Sequence, residues 1–191
     1  LMTHLPRILM ACCLASLAAS CTTTRDGRAY RLYHNTTAKY NGFFYANEAL
    51  DEADEKLADL HEERWDEVLP LFLETDESNA AQVFPLAERA IEKCTRVVDR
   101  HTMAPPKQLR KSCNRPIMNK WIDDNYTVIG KSYYMKGDFP RAEEIFQYLV
   151  RTVEGPDAEA WAFSWLGRTY MRTGEDVKAK NTPINLSNLP Q

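Results

Sequence analysis

The sequence offers no apolar run long enough to cross a bilayer. The stretch from Ile8 to Ala19 is about a dozen residues, against the ~20 that a membrane-spanning helix needs. Excess positive charge is missing too: 24 Lys and Arg face 27 Asp and Glu, for a formal net charge of −3. A mildly acidic chain lacks the electrostatic footprint of a nucleic-acid binder. Catalytic signatures are absent. There is no His-Glu-x-x-His, no Gly-x-Ser-x-Gly and no glycine loop that could cradle a phosphate. His34, His61 and His101 stand apart from one another in the sequence. Cys94, His101 and Cys113 could supply three zinc ligands, but their spacing matches no zinc pattern. No metal site and no catalytic residue is therefore expected.

Cysteine is scarce where it could staple a fold. Of five cysteines, Cys12 and Cys13 fall within the N-terminal apolar stretch and Cys21 closes it. The segment Leu17-Ala18-Ala19-Ser20-Cys21, preceded by that stretch and by Arg7, has the layout of a signal peptide ending on a lipoprotein-type cysteine. Small residues before the cut admit an extended backbone to the peptidase, and the thiol after it carries diacylglycerol. Residues 1–20 are then expected to be removed, which takes away only Arg7 and leaves a net charge of −4. A covalent lipid on Cys21 is the only prosthetic group expected, and several acyl chains there would anchor stably where one alone is marginal. Cys94 and Cys113 remain. In an oxidising envelope they either form a disulfide or stay separate, with Cys94 as a small core residue on a helix.

The periodicity predicts an all-α chain. Residues 21–34 read as the acylated cysteine and a flexible tether, polar and mixed in charge from Thr22 to Arg31. Residues 35–118 read as a divergent helical-hairpin region. Its first helix starts at Thr36 or Thr37 as N-cap and carries Tyr40, Phe43, Phe44, Leu50, Ala53, Leu57 and Leu60 at spacings of three and four, with one gap near Asn47. Asp51, Glu52, Asp54, Glu55 and Lys56 read as its solvated face rather than a metal site. An apolar connector around Pro70 follows, then a helix from about Ala80 to Asp99. His101 to Pro116 is a basic, proline-rich loop. It could contact phosphate or lipid headgroups, but reads better as a surface loop balancing the acidic helices.

Residues 119–180 are repetitive. Tyr126-x-x-Ile129-Gly130-x-x-Tyr133 aligns with Phe163-x-x-Leu166-Gly167-x-x-Tyr170, and each is followed by a glycine, Gly137 and Gly174. Ala142 and Ala179 align as well. This pattern is similar to the tetratricopeptide repeat, a helix–turn–helix unit of 34 residues. Gly130 and Gly167 would let paired helices approach closely, and Gly137 and Gly174 would make turns in the left-handed region. Ala142 and Phe146 would pack as a small and large pair, and Pro156 would open the next helix. The registers stand 37 residues apart, so the loop at 154–158 carries about three extra residues. Pro183 stops the second unit, and residues 181–191 form an irregular tail. The chain thus reads as a truncated copy of a longer solenoid.

Tyr126, Tyr133, Tyr134, Trp161, Phe163, Trp165 and Tyr170 form an aromatic stripe that reads mainly as core. Tyr134, Trp161 and Arg168 are the expected remainder, lining a concave face and binding a partner. A glycan platform would instead need Trp161 and Trp165 to face solvent, and a thiol enzyme would need an activated Cys94 or Cys113.

The stretch Tyr33-His34-Asn35-Thr36-Thr37-Ala38-x-Tyr40-Asn41-Gly42-Phe43-Phe44, downstream of Cys21, resembles the N-terminal region of the PorW/SprE family of Bacteroidetes envelope lipoproteins. Trp121-Ile122-Asp123-Asp124-x-Tyr126-x-x-Ile129-Gly130-Lys131-x-Tyr133-Tyr134-x-Lys136-Gly137-Asp138-Phe139 resembles that family's first clear repeat. The likeness covers about residues 17 to 175. It implies a periplasm-facing, lipid-anchored outer-membrane protein that supports type IX secretion and gliding motility. Its partners would be the periplasmic ring and the outer-membrane translocon. It implies no catalytic residue. Family members are several times longer.

Overall fold

The computed structural model describes residues 27–63, 66, 72–103, 119–153 and 155–182. The expected signal segment with Cys21, Pro70, the basic residues Lys107, Arg110, Lys111 and Arg115, Cys113 and Pro183 lie outside the described residues. Every regular element among the described residues is helical. They are α1 (Arg28–Thr37), a π-helical turn (Ala38–Phe44), α2 (Tyr45–Leu60), α3 (Ala80–His101), α4 (Ile122–Met135), α5 (Phe139–Thr152), α6 (Pro156–Arg172) and α7 (Asp176–Asn181). The chain divides into two compact units, 1–33 and 34–191, and the second contains the core.

The tether expected over residues 21–34 gives way to helix from Arg28 onward. No glycine or proline separates Arg28 from Asn41, so nothing stops helix from propagating upstream. The expected N-cap is corrected as well. Thr37 has helical angles (φ −66, ψ −41) and makes no side-chain capping bond, because it lies inside a continuous helical run.

The first long helix buries Leu50, Ala53 and Leu57 as expected but departs from the rest of the expected stripe. Its inner stripe is Ala38, Gly42, Ala46, Ala49, Leu50, Ala53 and Leu57, whereas Tyr40, Phe44 and Leu60 are exposed. The π turn inserts a phase shift between the aromatic cluster and the downstream helix, and this accounts for the gap near Asn47. The small-residue stripe lets neighbouring helices come close. A Cβ on Gly42 would stand 2.1 Å from Val97 Cγ2 of α3 and 3.0 Å from Asn125 Oδ1 of α4, closer than real atoms approach.

Helix α3 begins on an Asx turn. The Asp76 carboxylate accepts hydrogen bonds from Ser78 N (2.7 Å) and Asn79 N (3.2 Å), and the Ser78 hydroxyl and these backbone amides hold it below the usual carboxylate range. The helix runs to His101, through Pro85. Its buried residues Val83, Leu86, Ala87, Ala90, Cys94 and Val97 recur at helical spacing.

From α4 onward two turns have the same geometry. Gly137 (φ 73) and Gly174 (φ 74) are left-handed. Gly137 N donates to Tyr134 O and Asp138 N to Tyr133 O, both at 2.9 Å. At the second turn Gly174 N donates to Met171 O (3.3 Å) and Glu175 N to Tyr170 O (2.9 Å). These bonds satisfy the last carbonyls of α4 and α6, and glycine carries no Cβ penalty there. Asp138 then caps α5, accepting from Arg141 N. Gly155 (φ 112) precedes α6, which opens on Pro156.

Each helix from α2 to α7 packs on its sequence neighbours. In addition, α2 touches α4 and α4 touches α6, while α3, α5 and α7 make no such contacts with one another. The helices thus form two rows, and the array closes toward the α2/α4/α6 row. One core cluster lies among α2, α3 and α4. A second lies among α4, α5 and α6, around Ala142, Phe146, Leu149 and Leu166. Phe146 and Leu149 are wholly buried, and each such side chain stabilises by about 1.5–3 kcal/mol relative to exposure. The expected close approach occurs at Gly130, where a Cβ would sit 2.7 Å from the Phe146 ring.

Candidate functional site

The closing side of the helix rows carries the most chemically varied surface of the molecule. Helical spacing produces it. Asn47, Asp51 and Asp54 share one face of α2, Asp124, Thr127 and Lys131 one face of α4, and Trp161, Trp165, Arg168 and Arg172 one face of α6. Two adjoining clefts of about 150 and 200 Å³ run along this side and share Lys131 and Asn47. The α2 wall is acidic, and the α6 wall is cationic and aromatic.

Three of these side chains were expected to bind a partner, and the structure treats them differently. Tyr134 is only 5% exposed and belongs to the second core cluster. Its ring packs edge-on against Phe139 (5.4 Å) and Trp165 (5.6 Å). Only its hydroxyl reaches the cleft, where it donates to Glu74 Oε1 at 2.7 Å. Burial and that carboxylate push the phenol above its usual pKa. Tyr134 is therefore a packed wall residue with a polar tip rather than a free contact residue. Arg168 is half-buried, with its guanidinium 4.0 Å from the Phe72 ring, 4.7 Å from Tyr134 and 4.8 Å from Trp165. Its Nε is buried with no hydrogen-bond partner among the described residues. Trp161 is 41% exposed and alone of the three presents a broad open face.

Several groups escaped the sequence reading. Lys131 Nζ stands 5.5 Å from the Trp161 ring and 5.2 Å from Trp165. Burial holds its ammonium below the usual lysine range, against the pull of Asp54 and Asp51. Asp54 is exposed as a residue, yet partial loss of hydration raises its carboxyl, opposed by Lys131. Asp124 is raised by burial. The acidic run on α2 is a solvated face as expected, with the addition that Asp51 and Asp54 also border the cleft. A non-helical segment, Phe72 to Asp76, closes one end of the groove. From it Glu74 takes the Tyr134 hydroxyl on Oε1 and Arg172 Nε on Oε2 at 2.6 Å. Spacings of four, three and four between 161, 165, 168 and 172 were readable in the sequence. The return of Glu74 to this wall was not, because it depends on a loop path.

The other candidates are resolved locally. Trp165 stacks on Phe146 (5.9 Å, 19°) and is only partly exposed, so a two-tryptophan sugar platform is not formed. Cys94 is a fully buried free thiol with its pKa pushed up to about 12 by desolvation. That is the reverse of an activated nucleophile. Its candidate disulfide partner Cys113 lies outside the described residues. His34 and His101, read as isolated, meet with Nδ1 atoms 2.9 Å apart. One Nδ1 there must carry the proton that the other accepts. Asn119, fully buried, donates to both of their backbone carbonyls at 3.2 and 3.0 Å, which holds the end of α1 against the end of α3. Among the described residues no group of three or more His, Cys, Asp or Glu is placed to hold a metal. No helix among them is long and apolar enough to cross a membrane.

No protein-family model matches the chain, and no curated protein matches it.

Proposed function

We propose that this chain is a non-enzymatic, lipid-anchored scaffold built from tetratricopeptide-like hairpins, whose α2/α4/α6 groove holds a protein partner. The observation that carries the reading is the groove itself: one acidic wall, one cationic and aromatic wall, and a bed of packed side chains. Mixed charge with half-buried aromatics and arginine is the composition of a protein-docking surface. The paired turns at Gly137 and Gly174, with the same left-handed geometry 37 residues apart, support a repeat. The resemblance to PorW/SprE proteins adds the setting. The anchor is the lipid on Cys21, and the location is the periplasmic face of the outer membrane. The role is to link the secretion ring to the translocon in type IX secretion and gliding motility.

The test is affinity purification of the acylated protein from detergent-solubilised outer membrane, with mass spectrometry of what accompanies it. Ring and translocon components are expected. Recovery of the chain alone would refute docking by this part of the molecule.

A further inference from the structure

One end of the groove is built from the chain's own segment Phe72 to Asp76, of which Leu73, Glu74 and Thr75 line the cleft. We infer that this segment is a displaceable internal ligand, and that the groove's external ligand is a partner's peptide segment with an aromatic residue two positions before a carboxylate. The inference rests on the scaffold reading above and specifies what the groove recognises.

The segment's contacts with the α4 and α6 walls are made by side chains of a particular chemistry. Phe72 lies on the Arg168 guanidinium, and Glu74 is gripped at both oxygens by Tyr134 and Arg172. An aromatic ring and an acid two residues later are thus read by a cation–π contact and a two-point carboxylate contact. Each hold is wet. Phe72 is 42% exposed, and the Glu74 and Arg172 side chains are 31% and 47% exposed, so water and ions compete for them. The fit is also incomplete. Thr75 Oγ1, on the segment, and Arg168 Nε, beneath it, are both buried without a hydrogen-bond partner among the described residues. Native interiors rarely leave such atoms unpaired. The cationic wall continues past the segment to Lys131, which rests on indole faces and closes no ion pair among the described residues. Asp51 and Asp54 border the same cleft from α2, so an acidic occupant is favoured along the α4/α6 side only. A longer acidic and aromatic strand from a partner would make the contacts of Phe72 and Glu74 and reach Lys131 as well.

The experiment uses a fluorescein-labelled peptide with the sequence of residues 70–78 and the full chain. Binding is read by anisotropy to the wild type and to a variant carrying Phe72→Ala and Glu74→Gln, whose helix content is checked by circular dichroism. The expected result is binding to the variant at least tenfold tighter than to the wild type. Adding Arg172→Ala, or using a peptide with Ala at the Phe and Glu positions, should cost at least tenfold. Because the peptide substitutions leave the protein untouched, they keep the test decisive if the protein variant folds poorly. Equal binding to both proteins, no binding to a folded variant, or a segment-dependent doubling of mass would each overturn the inference. The last would mean exchange between two copies. None of these results bears on recovery of secretion components, so the scaffold reading is judged separately.

Discussion

Replacing Gly130 with alanine adds one methyl group at the tightest point between α4 and α5. The new Cβ would lie 2.7 Å from two atoms of the Phe146 ring and 3.2 Å from Ile145 Cγ2. Phe146 is wholly buried and stacked on Trp165, so its ring has little room to retreat. Overpacking of this kind costs about 1–3 kcal/mol. Alanine recovers ~1 kcal/mol of helix propensity, which leaves a net loss of roughly 0–2 kcal/mol. Phe146→Leu removes the ring atoms that the methyl would strike and should cost about 1–2 kcal/mol by itself. In that background Gly130→Ala should become neutral or stabilising, because only the propensity gain remains. The four proteins form a double-mutant cycle with an expected coupling of about 1–3 kcal/mol. Urea unfolding followed by circular dichroism reads it. Additivity within ~0.5 kcal/mol would show that the helices are not held apart by this contact, and the packing argument would fail.

Three further outcomes follow from the same structure. Gly137→Ala meets no atom within 4 Å but sits at φ 73. It should destabilise by about 1–2 kcal/mol through backbone strain alone, and an unchanged urea midpoint would contradict the left-handed turn. Cys94 should resist alkylation in the folded protein and react only on unfolding, since its thiol is buried and raised to about 12. Prompt labelling under native conditions would count against the α2/α3/α4 core. Burial lowers the pKa of His34, and burial, His34 and Arg100 lower that of His101, from the ordinary 6.5. The unfolded chain then binds more protons in the acid range. Stability should be full above 6.5 and fall as pH drops through the lowered folded values. Urea midpoints taken from about pH 8 to about 5 should decline, and His101→Gln should flatten the decline. An equal decline in that variant would assign it to other groups.

Much of the scaffold was legible because it depends on short-range rules. The helices at Ala80–His101, Ile122–Met135 and Phe139–Thr152 follow apolar spacing, and the turns at Gly137 and Gly174 follow from glycine's freedom at positive φ. What escaped depended on distance or phase. The aromatic residues Tyr40 and Phe44 suggested an inward stripe, but a π turn rotates the helix and buries Ala38, Gly42 and Ala46 instead. Helix over Arg28–Thr37 carries no clear local signal, because this polar stretch lacks a buried apolar stripe. At the groove, the spacing of seven puts Trp161 and Arg168 on one face of α6. Tyr134, expected beside them as a residue not used in packing, has its ring packed against Phe139 and Trp165 instead. The partnership of Glu74 with Tyr134 and Arg172 joins residues 60 positions apart for the first pair, and no local pattern announces it. The meeting of His34 and His101 is of the same kind, set by the bridging Asn119.

The central claim is that the α2/α4/α6 groove docks a protein. The most direct test purifies the wild type and a Trp161→Ala, Arg168→Glu variant side by side from detergent-solubilised membranes. Both must first be shown to be equally helical. On the scaffold role proposed above, secretion-ring and translocon proteins accompany the wild type and are lost from the variant. Equal recovery with both proteins, or recovery of the wild type alone, would contradict it.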